Sequence, residues 1–143
     1  MSDPLYAKEL LRLAANAVGA GKLNPFDVEG HAHNPTCGDR VSVTLRLDEL
    51  GRVTAMAHET SACVLAQASA SILGAQLAGA DRPTVQDLRE AVATMLRDGR
   101  TPPAPFADYA ALTGAAPFRN RHTCVLLPID AVLSALETDQ RQD

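Results

Sequence analysis

Tryptophan is absent from this chain, and aromatic residues of every kind make up only 3% of its 143 positions. A core built on large rings is therefore excluded. Hydrophobic content is 46%, much of it alanine, so packing is expected to come from closely approaching helices. Clustered basic charge is also lacking. Lys and Arg number 13 against 17 Asp and Glu, for a net charge of −4, and the only local basic group is Arg119 with Arg121. Nucleic acid needs a concentrated basic surface, so it is not expected as a partner. No apolar run approaches the ~20 residues that cross a bilayer, which argues against a membrane partner. The opening residues Met1-Ser2-Asp3-Pro4 lack the charged and apolar zones of a signal peptide. A cytoplasmic location is expected, where thiols stay reduced. A Gly-rich phosphate loop is missing too.

Cysteine is scarce: Cys37, Cys63 and Cys124 are the whole complement. The odd number leaves at least one thiol outside any internal disulfide, and there is no C-x-x-C pair.

The length suits one domain over residues 1–143, with a polar tail from about residue 137. Asp3-Pro4 offers a capping side chain followed by a first-turn proline. Leu5, Leu10, Leu11, Leu13 and Val18 then predict a helix reaching Gly19. A loop over Gly19–Pro25 and a short strand over Val28–His33 follow. The strongest strand is Val41–Leu47, with Val41, Val43, Leu45 and Leu47 on one face. Asp48-Glu49-Leu50-Gly51 turns the chain into a partner strand over Arg52–His58. Thr60 or Ser61 is expected to cap a small-residue helix over Ala62–Ala78, with Cys63 in its first turn. Asp81-Arg82-Pro83 breaks that helix. Thr84 with Asp87 reads as a capping box for an amphipathic helix carrying Leu88, Val92, Met95 and Leu96. A proline-rich loop leads to a short helix over Phe106–Leu112, closed by Gly114. The last clear helix is Ile129–Leu136, with Pro128 at its opening or at a kink, and Cys124 before it or at its start.

Thiolates are soft metal ligands, and structural zinc normally takes four protein ligands. Three cysteines plus Asp39, one glycine away from Cys37, supply that number. The competing reading is three inert thiols, since free cysteine is among the most buried residue types. His31 and His33 alternate on a strand and either extend the site or line a solvated edge. His58 reads as a surface histidine, or as a donor behind Cys63. A cysteine hydrolase is disfavoured because nothing resembles an oxyanion loop.

Three segments resemble one family. Asn34-Pro35-Thr36-Cys37-Gly38-Asp39-Arg40 is similar to the first cysteine motif of the U-type iron–sulfur cluster assembly scaffolds (the SufU, IscU and NifU group). Ala62-Cys63-Val64-Leu65-Ala66-Gln67-Ala68-Ser69-Ala70-Ser71 resembles the second, and Arg121-His122-Thr123-Cys124-Val125-Leu126-Leu127-Pro128 the third. The resemblance implies an α+β fold of the SufE/NifU kind, a small antiparallel sheet of about three strands packed by helices. It implies sulfur acceptance from a cysteine desulfurase and delivery to apo iron–sulfur client proteins. Cys37, Asp39, Cys63 and Cys124 become the metal ligands, with zinc as the first expectation and iron or an iron–sulfur cluster as the alternative. The three cysteines would hold a nascent cluster. Cys124 becomes the sulfur acceptor, with Arg121 supporting it. The 60 residues between Cys63 and Cys124 are like the SufU branch. IscU proteins carry His directly before the third cysteine; here that place is Thr123. His122 stands one step off, a turn of roughly 100° on a helix. The family usually has Gly where this chain has Ala62. The alternative function is a zinc-stabilised binding or regulatory module without sulfur transfer.

Overall fold

The computed structural model describes residues 4–35 and 38–138, with side chains from residue 8 onward. In chain order the elements are α1 (Pro4–Asn16), β1 (Val28–Asn34), β2 (Asp39–Leu47), β3 (Val53–Ser61), α2 (Val64–Gln76), α3 (Arg82–Asp98), a 3-10 helix (Ala107–Ala115) and α4 (Arg119–Glu137). The strands form one antiparallel sheet in the order β1-β2-β3. The expected α+β architecture is borne out.

Alternation along β2 sets the core side of the sheet. Val41, Val43 and Leu45 are buried against the helices. The β2–β3 turn is held by Asp48, whose Oδ1 accepts from the backbone N–H groups of Leu50 and Arg52, both at 2.9 Å. Helix α4 crosses β1 at Gly30. A Cβ at that position would run into the carbonyl oxygen of Ala131 and the backbone nitrogen of Ala135. Only a residue without a side chain lets the helix lie this close. The same device appears in α2, where a Cβ on Gly74 would strike the Val18 carbonyl. Ala66, Ala68 and Ala70 on α2 are fully buried, as expected for a core poor in rings.

The segment between α1 and β1 wraps the far edge of the sheet. Gly19 O accepts from His58 N and His58 O from Gly21 N, both at 2.8 Å, which makes a short parallel bridge beside β3. The chain then crosses the outer face of β2. Leu23 N donates to Thr44 Oγ1 at 3.0 Å, and Arg46 Nε donates to Pro25 O at 2.9 Å.

Four local expectations need correction. Helix α1 stops at Asn16 rather than Gly19, because Ala17 turns to a positive φ of 43°. Thr60 and Ser61 do not cap α2: both are paired in the β3 ladder, to Val41 and Arg40. Cys63 itself is the N-cap residue. The cap of α3 is Asp81, whose Oδ1 accepts from Thr84 N at 3.0 Å and from Thr84 Oγ1 at 2.6 Å, rather than Thr84. Helix α4 begins at Arg119, ten residues before the expected start, so Cys124 lies inside it and Pro128 is an interior proline. No helix among the described residues is long and apolar enough to cross a membrane.

Candidate metal centre

Three elements deliver the site. Asp39 opens β2, cross-paired with Asn34, and is 9% exposed. Cys63 ends the chain's passage out of β3 and starts α2, with extended φ and ψ of −67° and 170°. Cys124 sits in the second turn of α4 and is 3% exposed, the more buried of these two thiols. One ligand atom from each, a carboxylate oxygen and two Sγ, lie within 4.8 Å of one another. Cys37 lies outside the described residues. Its flanks are placed, however: Gly38 N donates to Asn34 O at 2.8 Å, closing a tight β1–β2 connection that leads directly into Asp39.

Asp39 Oδ2 organises the group. It accepts the backbone N–H of Cys63 at 3.3 Å and the thiol of Cys124 at 3.5 Å. Burial pushes the Cys124 thiol up to about 12, and the neighbouring Cys63 and Asp39 add to the rise. A site that gathers acidic groups in a half-dry pocket resists their ionisation until a cation joins them. The donor set fits a soft or borderline divalent ion. Two sulfurs about 2.3 Å from one tetrahedral centre stand roughly 3.8 Å apart, inside the observed spread. One further thiol would complete four ligands, and Cys37 is the chain's only other cysteine.

The α4 backbone is specialised at this point. Pro128 carries no N–H, so it cannot donate to the Cys124 carbonyl as a helical residue four positions on would. Ser69 of α2 donates its hydroxyl to the carbonyl of Val125 at 2.8 Å. Tyr109 from the 3-10 helix donates in turn to Ser69 Oγ at 2.8 Å, since the single Ser69 proton is already committed. Ser69 and Tyr109 were missed in the sequence. The available signal was one of only two tyrosines in a ring-poor chain and a serine within an alanine-rich helix.

The histidines separate from the site. Asn34 and Asp39 share the inner face of the sheet, so His33 and His31 alternate onto exposed ground, the outer face for His33 paired with Arg40. His31 Nδ1 meets Ser42 Oγ at 2.9 Å. His122 Nε2 donates to the Ala116 carbonyl at 2.9 Å, tying α4 to the end of the 3-10 helix. His58 is not a surface residue: it is 4% exposed, donates from Nε2 to the Val18 carbonyl at 2.9 Å, and accepts at Nδ1 from Thr60 Oγ1 at 2.9 Å. It faces the core because its register partner is Val43. Arg121 is exposed one turn before Cys124.

Known proteins resemble the chain over most of its length. The zinc-dependent sulfurtransferase SufU of Bacillus subtilis (strain 168) is 30% identical over 127 residues, covering 87% of this chain and 84% of that one. The iron–sulfur cluster assembly scaffold protein IscU of Streptococcus pyogenes serotype M1 is 26% identical over 106 residues, covering 73% of this chain and 66% of that one. The crystal structure of a nitrogen-fixing NifU-like protein (N-terminal) from Brucella abortus superposes with a TM-score of 0.85 at 33% identity, covering 92% of both chains. The NifU-like N terminal domain matches residues 5–125, and the chain belongs to that family, the U-type scaffold group its cysteine motifs resemble.

Proposed function

We propose that this protein serves iron–sulfur cluster assembly as a cytoplasmic sulfur acceptor and scaffold, working as one domain, with zinc held by Cys37, Asp39, Cys63 and Cys124. The observation that carries this reading is the meeting of a carboxylate and two thiols from β2, α2 and α4 within 4.8 Å. Zinc, when bound, keeps thiolates available at neutral pH. Iron or an iron–sulfur cluster is the alternative occupant, the cluster as cargo on the three cysteines.

The donor is a cysteine desulfurase and the recipients are apo iron–sulfur proteins. Cys124, by its place in the third motif, attacks the terminal sulfur of the desulfurase persulfide. A new S–S bond forms on Cys124 while the desulfurase cysteine leaves as its thiolate, so no net oxidation occurs. Exposed Arg121, one turn away, supplies positive charge toward the incoming anion.

One observation favours a second assignment within the same chemistry. Cys124 is 3% exposed and Cys63 is more open, so Cys63 would meet the donor with less rearrangement. The deciding experiment supplies the chain with a desulfurase and free cysteine, follows alanine release, and maps the added sulfur by mass spectrometry. Stimulation of alanine release that Cys124→Ala abolishes, with the sulfur mapped to Cys124, supports the first assignment. Sulfur on Cys63 supports the second, and sulfur on Cys37 overturns both. No stimulation by the unaltered chain leaves a zinc-stabilised binding module.

A further inference from the structure

A chain of buried hydroxyls stands behind the two described thiols. Tyr109 and Ser69 are both fully buried. The phenol donates to Ser69 Oγ, and Ser69 donates to the carbonyl of Val125, each at 2.8 Å. A second, longer approach of 3.4 Å joins the same phenol to the Ser69 carbonyl. A serine inside a helix ordinarily bonds back to its own preceding turn. Here it reaches into another helix instead, and its acceptor is the residue directly after Cys124. Ser69 itself lies less than two turns from Cys63 on α2. The relay therefore ties the helix that begins at Cys63 to the helix that contains Cys124. Burial holds the Tyr109 phenol well above its ordinary range, so it stays a hydroxyl donor at any working pH.

The flanking α2 residues are Ala68 and Ala70, small and without directional contacts. Directional O–H bonds fix rotation and depth where alanine does not. The carbonyl at Val125 also lies within the stretch of α4 disturbed by Pro128.

We propose that Ser69 and Tyr109 are positioning residues for the metal centre, setting the separation of the Cys63 and Cys124 sulfurs and so the geometry at the ion. This rests on the metal-site reading above. Neither side chain touches the ion; each acts through the backbone beside Cys124.

The test uses the full chain loaded with Co²⁺ as the spectroscopic probe. Tyr109→Phe and Ser69→Ala are compared with the unaltered chain and with Ile72→Val, which removes a core methyl from the same helix. Ser69→Ala leaves the phenol its 3.4 Å backbone acceptor, so no buried donor is stranded. Expected are shifted visible d–d bands and Co²⁺ affinity lowered roughly tenfold by chelator competition in both relay variants, the scale for lost supporting bonds around a metal. Ile72→Val should lower the melting temperature while leaving the bands and affinity in place. Absence of thiolate-to-cobalt charge transfer in the unaltered chain overturns the metal-site reading itself. Normal loading with unmoved bands and affinity in Tyr109→Phe and Ser69→Ala overturns only the positioning role. Equal shifts in Ile72→Val do the same, because they trace the effect to general loss of stability.

Discussion

The Sγ of Cys124 and Oδ2 of Asp39 lie 3.5 Å apart, although 85 positions separate them in the chain. The same oxygen accepts the Cys63 N–H. Asp39 thus pins the N-cap of one helix and the second turn of another before any ion arrives. Asp39→Ala removes the anchor and, on the proposed metal-site reading, an oxygen ligand as well. It is expected to speed metal release by at least about tenfold to a hundredfold, the range for losing only a partner that orients a metal's ligands. Metal transfer to a chromogenic chelator measures this, and unchanged release would count against Asp39 as a ligand.

Metal removal separates the scaffold from a purely structural module. The core of Leu45, Ile72, Leu73, Met95, Leu112 and Ile129 is fully buried without help from the cysteines. Chelation should therefore lower the melting temperature while leaving the far-ultraviolet circular dichroism in place at 25 °C. Cooperative loss of helical signal on adding the chelator would place the folding free energy in the metal and support the structural-module reading.

Much of this arrangement was readable in the sequence, for physical reasons that differ by element. The β2 strand announced itself because its buried side chains alternate with period two, and the Asp48–Gly51 turn followed from turn chemistry. The meeting of Asp39, Cys63 and Cys124 was legible through motifs whose residue types suit a metal, while Cys37 lies outside the described residues. The start of α4 was not, because Arg119–Thr123 carries no apolar stripe and Pro128 mimics a helix opening. The cap at Thr60 or Ser61 failed because strand pairing outcompeted a local capping signal. His58 looked like a surface residue since nothing local reveals that Val18 would be folded onto its ring.

Gly30 was equally silent, since its role depends on α4 lying across β1. Gly30→Ala puts a methyl against backbone atoms of Ala131 and Ala135, which no rotamer change relieves. The expected loss is about 3 kcal/mol or more, at or beyond the usual cost of overpacking. Urea denaturation monitored by circular dichroism would show it as a lower midpoint with little change in slope. A midpoint within error of the unaltered chain would mean that α4 does not rest on β1 at this residue.

His58 gives the pH dependence its sign. Burial lowers its pKa below the ordinary 6.5, only partly opposed by the hydrogen bond to the Val18 carbonyl. The folded protein therefore holds the ring neutral at a pH where the unfolded chain already binds a proton. Stability contributed here is complete above about 6.5 and falls as the pH drops from there toward the lowered folded value. Below that value the loss stops growing. His58→Gln, which cannot take up the proton, should be less stable at pH 8 but should flatten the midpoint-against-pH curve between pH 7 and 5. Both proteins are compared metal-free, so that cysteine titration on the metal does not enter. An equally steep decline in the glutamine variant would assign the acid sensitivity to other groups.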